Sequence, residues 1–329
     1  MRIAVAGGGS WGTALAHVLA CGGHEVVLWA RDVAAVNAVN ETRENPRCLP
    51  GRKLHEDLRA SADMEVFAEC SLVLLAVPCQ HMRDFLGRAR RHFAPGLTLV
   101  NASKGIEMDS LLFMSGLARE VLSPLEYSYV MLSGPSFASE VLDGRPTAVV
   151  LACEEAELGA RLRRAFSTPE FRCYSSTDVC GVELGGAVKN TMAIAAGLCD
   201  GLELGHNSRG ALITRGLAEI SRLGEALGAR AGTFMGLSGL GDLVLSCAGD
   251  LSRNRRVGLA LARGEMLEDI VRSLGSVAEG VMTTFAVHKL GRAHAVETPI
   301  SDAVHSILRG ERTPRQAMRE LMLRDLKAE

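Results

Sequence analysis

The chain has 329 residues, a formal net charge of −2, 47% hydrophobic and 22% charged residues, the profile of a globular protein with two domains. That balance offers no basic surface for nucleic acid or an anionic membrane, and the longest strongly apolar run, LVLLAV at residues 72–77, is far too short to span a bilayer. Nine cysteines without a C-x-x-C pair fit reduced thiols in the cytoplasm better than a disulfide framework or a zinc site. The histidines are dispersed, with no metal-ligand spacing, so no metal is expected.

RIAVAG at residues 2–7 has strand character. Helix-like sequence follows at 11–20 and a second strand-like run, EVVLWA, at 25–30, which together make one β-α-β unit. The small residues between Arg2 and Cys21 also imitate a lipoprotein signal, but Gly7, Gly8, Gly9 and Gly12 interrupt the apolar core such a signal needs. Further apolar runs of strand length lie at 71–78, 98–103, 129–135 and 147–152, each between helix-like stretches. Continuous runs of this kind mark parallel strands buried on both faces. They predict an α/β Rossmann-type N-terminal domain with a mostly parallel sheet.

After residue 177 the strand-like runs stop. Alanine-, leucine- and glycine-rich segments at 178–197, 208–227, 253–263, 266–274, 283–290 and 300–308 predict an all-α C-terminal domain. The expected division is residues 1–180 for dinucleotide binding and 181–329 for substrate and catalysis.

GGGSWG supplies Gly7-x-Gly9-x-x-Gly12 directly after the first strand and at the opening of a helix. Gly7 allows the tight turn, Gly9 the approach of a pyrophosphate, and Gly12 close helix-strand packing, with the helix N-terminus facing the phosphates. The second strand ends in WARD. Arg31 suits a ribose 2′-phosphate and Asp32 repels one, so NADP and NAD both stay open, with a tilt to NADP because Arg31 lies nearer the strand end. SKGIE places Lys104 on a loop at the carboxyl end of a strand, and GPSFASE brings Gly134 and Ser136 to the same edge. GVELGGAVKN, from residue 181, puts Lys189 on a helix with no carboxylate three or four residues away. Gly185 and Gly186 on the same face imply that a ligand or another backbone comes close. In SRNRR, Ser252 reads as an N-cap, so Arg253, Asn254 and the first N–H groups of that helix form an anion site.

These motifs, with GGGSWGTALA, NSRGALITRGLAEI, GLGDL and VAEGV, resemble in order and spacing the bacterial NAD(P)-dependent glycerol-3-phosphate dehydrogenases over almost the whole chain. The resemblance implies reversible hydride transfer between NADP(H) or NAD(H) and dihydroxyacetone phosphate, giving sn-glycerol 3-phosphate for phospholipid synthesis. It makes Lys189 the catalytic acid/base, and gives Lys104, Gly134, Ser136, Asp242, Ser252, Arg253 and Asn254 to the substrate. It gives Gly7, Gly9, Ser10, Trp11, Gly12, Arg31, Ala138, Val277 and Glu279 to the cofactor, together with Lys104 and Arg253. Gly185 and Gly186 then leave room for substrate. A cytoplasmic homodimer without nucleic-acid partner or stable membrane insertion is implied. His206, Ser246 and Ala248 stand where the family commonly has an acid and threonines, away from the residues assigned to chemistry. Competing readings are a hydroxyacid dehydrogenase of similar architecture, which would favour a substrate carboxylate, and a catalytically silent dinucleotide sensor.

Overall fold

The computed structural model describes residues 1–273 and 279–325. Two compact units divide the chain: residues 1–104 with 112–182, and 105–111 with 183–329. The seven residues 105–111 carry no feature in the sequence that sets them apart from the first unit.

In the first unit, strands β1 (Arg2–Ala6), β2 (Glu25–Trp29), β3 (Arg59–Ser61), β4 (Leu72–Leu75), β5 (Leu97–Asn101), β6 (Tyr127–Ser133), β7 (Thr147–Ala152) and β8 (Phe171–Ser176) form one sheet in the order β3-β2-β1-β4-β5-β6-β7-β8. Every neighbouring pair is parallel except β6 and β7. Helices α1 (Ser10–Cys21), α2 (Val33–Thr42), α3 (Met82–Ala89), α4 (Met114–Leu122), α5 (Ala138–Leu142) and α6 (Ala156–Phe166) connect them. Alternate residues of the strands feed opposite cores. Ile3 and Val5 join Leu15 and Leu19 of α1 on one face, whereas Ala4 and Ala6 meet Phe67, Phe85 and Leu86 on the other. This is the Rossmann-type arrangement that the continuous apolar runs predict. Chain order reverses between β1 and β4, which opens a crevice beyond their carboxyl ends.

Strands β3 and β8 leave no apolar run in the sequence. β3 is three residues long, and β8 is an edge strand whose residues alternate buried Phe171 and Cys173 with exposed Arg172 and Tyr174. Only one of its faces carries the hydrophobic signal.

The second unit consists of helices: the greater part of α7 (Val179–Gly201), then α8 (Gly205–Ala226), α9 (Ala231–Phe234), α10 (Asp242–Ala248), α11 (Arg253–Ala262), α12 (Leu267–Ser273), α13 (Glu279–Ala293), α14 (Pro299–Leu308) and α15 (Pro314–Met322). α7 starts where the Asp178 carboxylate accepts from the Gly181 N–H at 2.9 Å, satisfying one of the orphan donors of a helix start. Residues 231–248 match a membrane span in length and composition, with mean hydropathy 1.3. They are not one helix: a turn and a π-helical stretch, Leu237–Gly241, separate α9 from α10.

Glu219 of α8 is buried and ties α14 into this unit. Its carboxylate accepts from the backbone N–H groups of Ile300 (2.8 Å) and Ser301 (3.0 Å) and from Ser301 Oγ (2.6 Å), orphan donors at the start of α14. Burial pushes the Glu219 carboxyl up, against the opposing pull of these bonds. A carboxyl whose folded value exceeds its unfolded one favours the fold fully below the unfolded value of about 4.3 and loses that contribution as pH rises through the folded value. Replacing Glu219 by Gln is therefore expected to flatten the fall in unfolding free energy that begins above about pH 4. Urea titrations of both proteins at several pH values measure this.

Candidate functional site

Beyond β1 the chain turns at Gly7, whose φ is +124° and whose added Cβ would lie 2.5 Å from the Ala76 carbonyl oxygen. A side chain is excluded there twice over, by conformation and by the neighbouring backbone. A Cβ on Gly12 would lie 1.9 Å from the Gly7 carbonyl oxygen, so that glycine seats α1 on the turn. Gly9 differs: a Cβ there meets nothing within 4 Å. Gly9 is also the N-cap of α1 and offers no side-chain bond to the first amides of the helix. A turn that needs glycine for packing at two positions and is open at the third, in front of an uncapped helix start, fits a dinucleotide pyrophosphate.

Neighbouring bonds fix this loop. Ser10 Oγ donates to the Cys48 carbonyl (3.0 Å) and Trp11 Nε1 to the Ala102 carbonyl (3.2 Å). Asn45, which sequence reasoning missed, is buried and donates from Nδ2 to the Gly8 carbonyl (2.9 Å) and to Thr13 Oγ1 (2.9 Å). Nothing in its local pattern marks it, because its partners lie more than thirty residues away.

At the end of β2 the two candidate discriminators separate. Asp32 is the N-cap of α2: Oδ1 accepts from the Ala34 N–H at 3.0 Å and Oδ2 pairs with Arg47 at 2.9 Å. The Arg47 guanidinium holds the Asp32 carboxyl below its usual range. Arg31 is exposed.

Lys104 Nζ and Ser136 Oγ both donate to the Gly134 carbonyl, each at 2.9 Å. Gly134, with φ +136°, packs its backbone against β7 so closely that a Cβ would lie 3.0 Å from Val149 Cα. Of the three residues predicted at this sheet edge, Lys104 and Ser136 are thus both bonded to the third, Gly134. Ala138 opens α5 a turn further on.

In the second unit, Lys189 on α7 is 9% exposed and Asp242 at the start of α10 is 1% exposed. Nζ donates to Asp242 Oδ1 at 2.6 Å and to Ser246 Oγ at 2.8 Å. Among the described residues, these bonds use two of the three ammonium hydrogens and leave one. Ser246 corrects the sequence reading, which set it apart from the chemistry; it bonds the central lysine directly. The signal was available, since Asp242 and Ser246 are four residues apart on one helix and share a face.

Gly185 brings a second correction. Its added Cβ would lie 2.7 Å from the Ser238 carbonyl oxygen, so the space is filled by the backbone of the π-helical stretch that leads into Asp242, not left for substrate. Of the two explanations the small residue allowed, close approach by another backbone is the one found.

Ser252 caps α11 through its Oγ, which accepts from the Arg255 N–H at 3.3 Å. Asn254 Nδ2 donates to Asn190 Oδ1 at 2.9 Å, and its Oδ1 accepts from the Gly280 N–H at 3.1 Å. Asn254 therefore joins α11 to the residue after Lys189 and to the start of α13, where Glu279 is the first residue. Among the described residues, one amide hydrogen of Asn254 remains. Arg253 is the first residue of α11, beside helix N–H groups that favour an anion. Val277 lies outside the described residues. His206, also set apart in the sequence, holds Arg209 at 2.7 Å, and Arg209 reaches Asp200 at 3.3 Å. Among the described residues no group of three or more His, Cys, Asp or Glu could hold a metal ion.

The glycine geometry separates binding from folding. Gly9→Ala is expected to cost at most about 1 kcal/mol, as alanine is a poorer N-cap than glycine, yet to raise the dissociation constant for NADPH about tenfold or more by crowding the phosphates. Gly12→Ala is expected to lower stability itself by about 1–3 kcal/mol. Thermal unfolding and fluorescence titration with NADPH read the two effects apart.

Two family models match the chain. One is described as the NAD-dependent glycerol-3-phosphate dehydrogenase N-terminus, over residues 2–159, and the other as its C-terminus, over 178–319. The chain is 58% identical over 329 residues to the NAD(P)+ glycerol-3-phosphate dehydrogenase of Desulfovibrio desulfuricans, covering 100% of this chain and 99% of that protein. It is 49% identical to the enzyme of the same name from Geobacter sulfurreducens, covering 100% of this chain and 98% of that one. A crystal structure of glycerol-3-phosphate dehydrogenase from Coxiella burnetii matches with a TM-score of 0.93 at 38% identity, covering 98% of this chain and 99% of that chain.

Proposed function

The chain belongs to the NAD-dependent glycerol-3-phosphate dehydrogenase family, and we propose that Lys189 is the acid/base with which it interconverts dihydroxyacetone phosphate and sn-glycerol 3-phosphate. It is an oxidoreductase that uses NAD(P), and the general pathway it serves is glycerophospholipid synthesis. The observation that carries the reading of the site is the buried Lys189 ammonium, bonded to Asp242 and Ser246 with one hydrogen left over.

The Gly7, Gly9, Ser10, Trp11 and Gly12 turn would hold the dinucleotide, which when bound would supply the hydride. Everything else falls to this chain's side chains. In the reducing direction the third N–H of Lys189 points its charge at the ketone oxygen, offsets the alkoxide that develops there and hands over the proton. Asp242 balances the ammonium in its buried setting and fixes its direction. In the oxidising direction the neutral amine takes the hydroxyl proton back. The phosphate belongs to Arg253, the spare amide hydrogen of Asn254 and the N–H groups of α11 capped by Ser252, whose binding energy holds the carbonyl in place. Lys104 serves both ligands from the Gly134 edge, with Gly134 and Ser136 on the substrate side. The family resemblance also gives Ala138, Val277, Glu279 and Arg253 to the cofactor. The cytoplasm and a homodimer are the setting we assign it, as the family resemblance implies.

Lys189→Ala is expected to lower turnover of dihydroxyacetone phosphate by about three or more orders of magnitude while NADPH still binds, since general acid catalysis and charge stabilisation are lost together. Absorbance of NADPH and NADH against that ketone measures it; retained turnover would remove Lys189 from the chemistry, and absence of turnover in the wild type would remove the substrate.

Cofactor choice follows from β2. With the Asp32 carboxylate committed to the α2 cap and to Arg47, a 2′-phosphate meets Arg31 rather than an open carboxylate. Arg31→Ala is expected to lower kcat/KM with NADPH about tenfold or more and to leave kcat/KM with NADH within about threefold. Equal losses with both cofactors would take Arg31 away from the 2′-phosphate.

A further inference from the structure

Three arginines, Arg253, Arg255 and Arg256, crowd the first turn of α11, where the helix dipole disfavours positive charge. The phosphate reading above accounts for Arg253. Arg255 has a different occupation. Its guanidinium is 12% exposed and already committed: Nε and Nη2 reach Asp200 Oδ2 at 2.8 and 2.7 Å, and Nη1 reaches Asp250 Oδ1 at 2.9 Å. Asp200 also takes Arg209 at 3.3 Å.

Asp200 is on α7, eleven residues after Lys189. At about 3.6 residues per turn that is close to three whole turns, so the two side chains leave α7 on the same face, roughly 16 Å apart along the axis. Between them the two helices touch backbone to backbone. A Cβ on Gly197 would lie 2.0 Å from the Arg255 carbonyl oxygen, and one on Gly258 would lie 2.0 Å from the Ile194 carbonyl oxygen. Contact without side chains sets a short distance but gives little resistance to sliding or rotation of one helix over the other. Two polar links supply that resistance: Asn254 to Asn190, beside the lysine, and Arg255 to Asp200, three turns on.

We propose that Arg255 is a positioning residue for the substrate phosphate: through Asp200 it holds the first turn of α11 in register with Lys189 and does not touch the substrate. The inference rests on the assignment of Arg253 and the α11 N-terminus to the phosphate. A displacement of about 1 Å at such a site is enough to cost about a hundredfold in rate. The ketone end of the substrate depends on Lys189, Asp242 and Ser246 and is affected only through the phosphate anchor.

The test compares Arg255→Ala, Asp200→Asn and Arg253→Ala on two ketones, dihydroxyacetone phosphate and dihydroxyacetone, with inorganic phosphate as competitive inhibitor. Arg255→Ala and Asp200→Asn are each expected to lower kcat/KM for the phosphorylated ketone, and to raise the inhibition constant of phosphate, about tenfold to a hundredfold. Turnover of dihydroxyacetone should change by no more than about threefold, and the double variant should be no worse than the poorer single one, because the two residues make one link. Asp200→Asn is nearly isosteric and carries the test if Arg255→Ala fails to fold. Equal losses on both ketones would reduce Arg255 to a general structural role and overturn the proposal. If Arg253→Ala weakens phosphate binding while Arg255→Ala and Asp200→Asn do not, the positioning role alone falls. If Arg253→Ala leaves phosphate binding unchanged, the phosphate assignment falls and takes the positioning role with it.

Discussion

Burying the ammonium of Lys189 is the constraint around which the helical unit is arranged. A lone charge removed from water costs several kcal/mol even after relaxation, so a carboxylate and hydrogen-bond acceptors have to be brought to it. α7 has no acid within a turn of position 189, and the partner comes from fifty-three residues further along the chain. The Gly185 backbone lets the Ser238 carbonyl close in, the π-helical stretch that follows leads into α10, and Asp242 and Ser246 then meet the lysine from one helix face. Two acceptors for three hydrogens hold the charge without neutralising its capacity to donate, which is the state a proton donor needs.

The same use of glycine against a backbone recurs near the candidate ligand sites. Gly7 and Gly12 close the turn after β1, Gly134 presses the edge of β6 on β7, and Gly197 and Gly258 bring α11 onto α7. Each removes a side chain so that two backbones can approach, and polar links, such as Asn254 to Asn190 and Arg255 to Asp200 between α11 and α7, then fix the nearby N–H groups in position. Rigidity of this kind is what lets a few polar side chains place an anion, because the donors do not have to be ordered when the ligand arrives.

Charge placement in both units follows one economy. Asp32 and Glu219 cap helices with their carboxylates, and Asp200 balances two arginines near a helix start. A carboxylate paired with a guanidinium or with backbone N–H groups repels a phosphate less than an open one does, because the neighbouring positive charge offsets its field. That is the physical basis for reading Arg31 as the residue that decides cofactor choice, and for separating Arg255, which is engaged, from Arg253, which begins the helix.

Much of this was legible in the sequence because its causes are local. Parallel strands buried on both faces must be apolar throughout, so β1, β2, β4, β5, β6 and β7 each show as a run, and the glycine spacing after β1 is set by the turn itself. The Ser252 cap and the face shared by Asp242 and Ser246 also follow from helix periodicity. The half-polar edge strand β8 and the three-residue β3 were not legible, since neither buries two faces. What the tertiary structure alone decided are the long-range partners: Asp242 and Ser246 at Lys189, Asn45 at the glycine turn, Asp200 at Arg255, and the backbone that fills the space beside Gly185. A sequence shows that a side chain needs a partner, through its charge or its missing Cβ; which partner it obtains depends on how distant segments pack, and no periodicity along the chain carries that information.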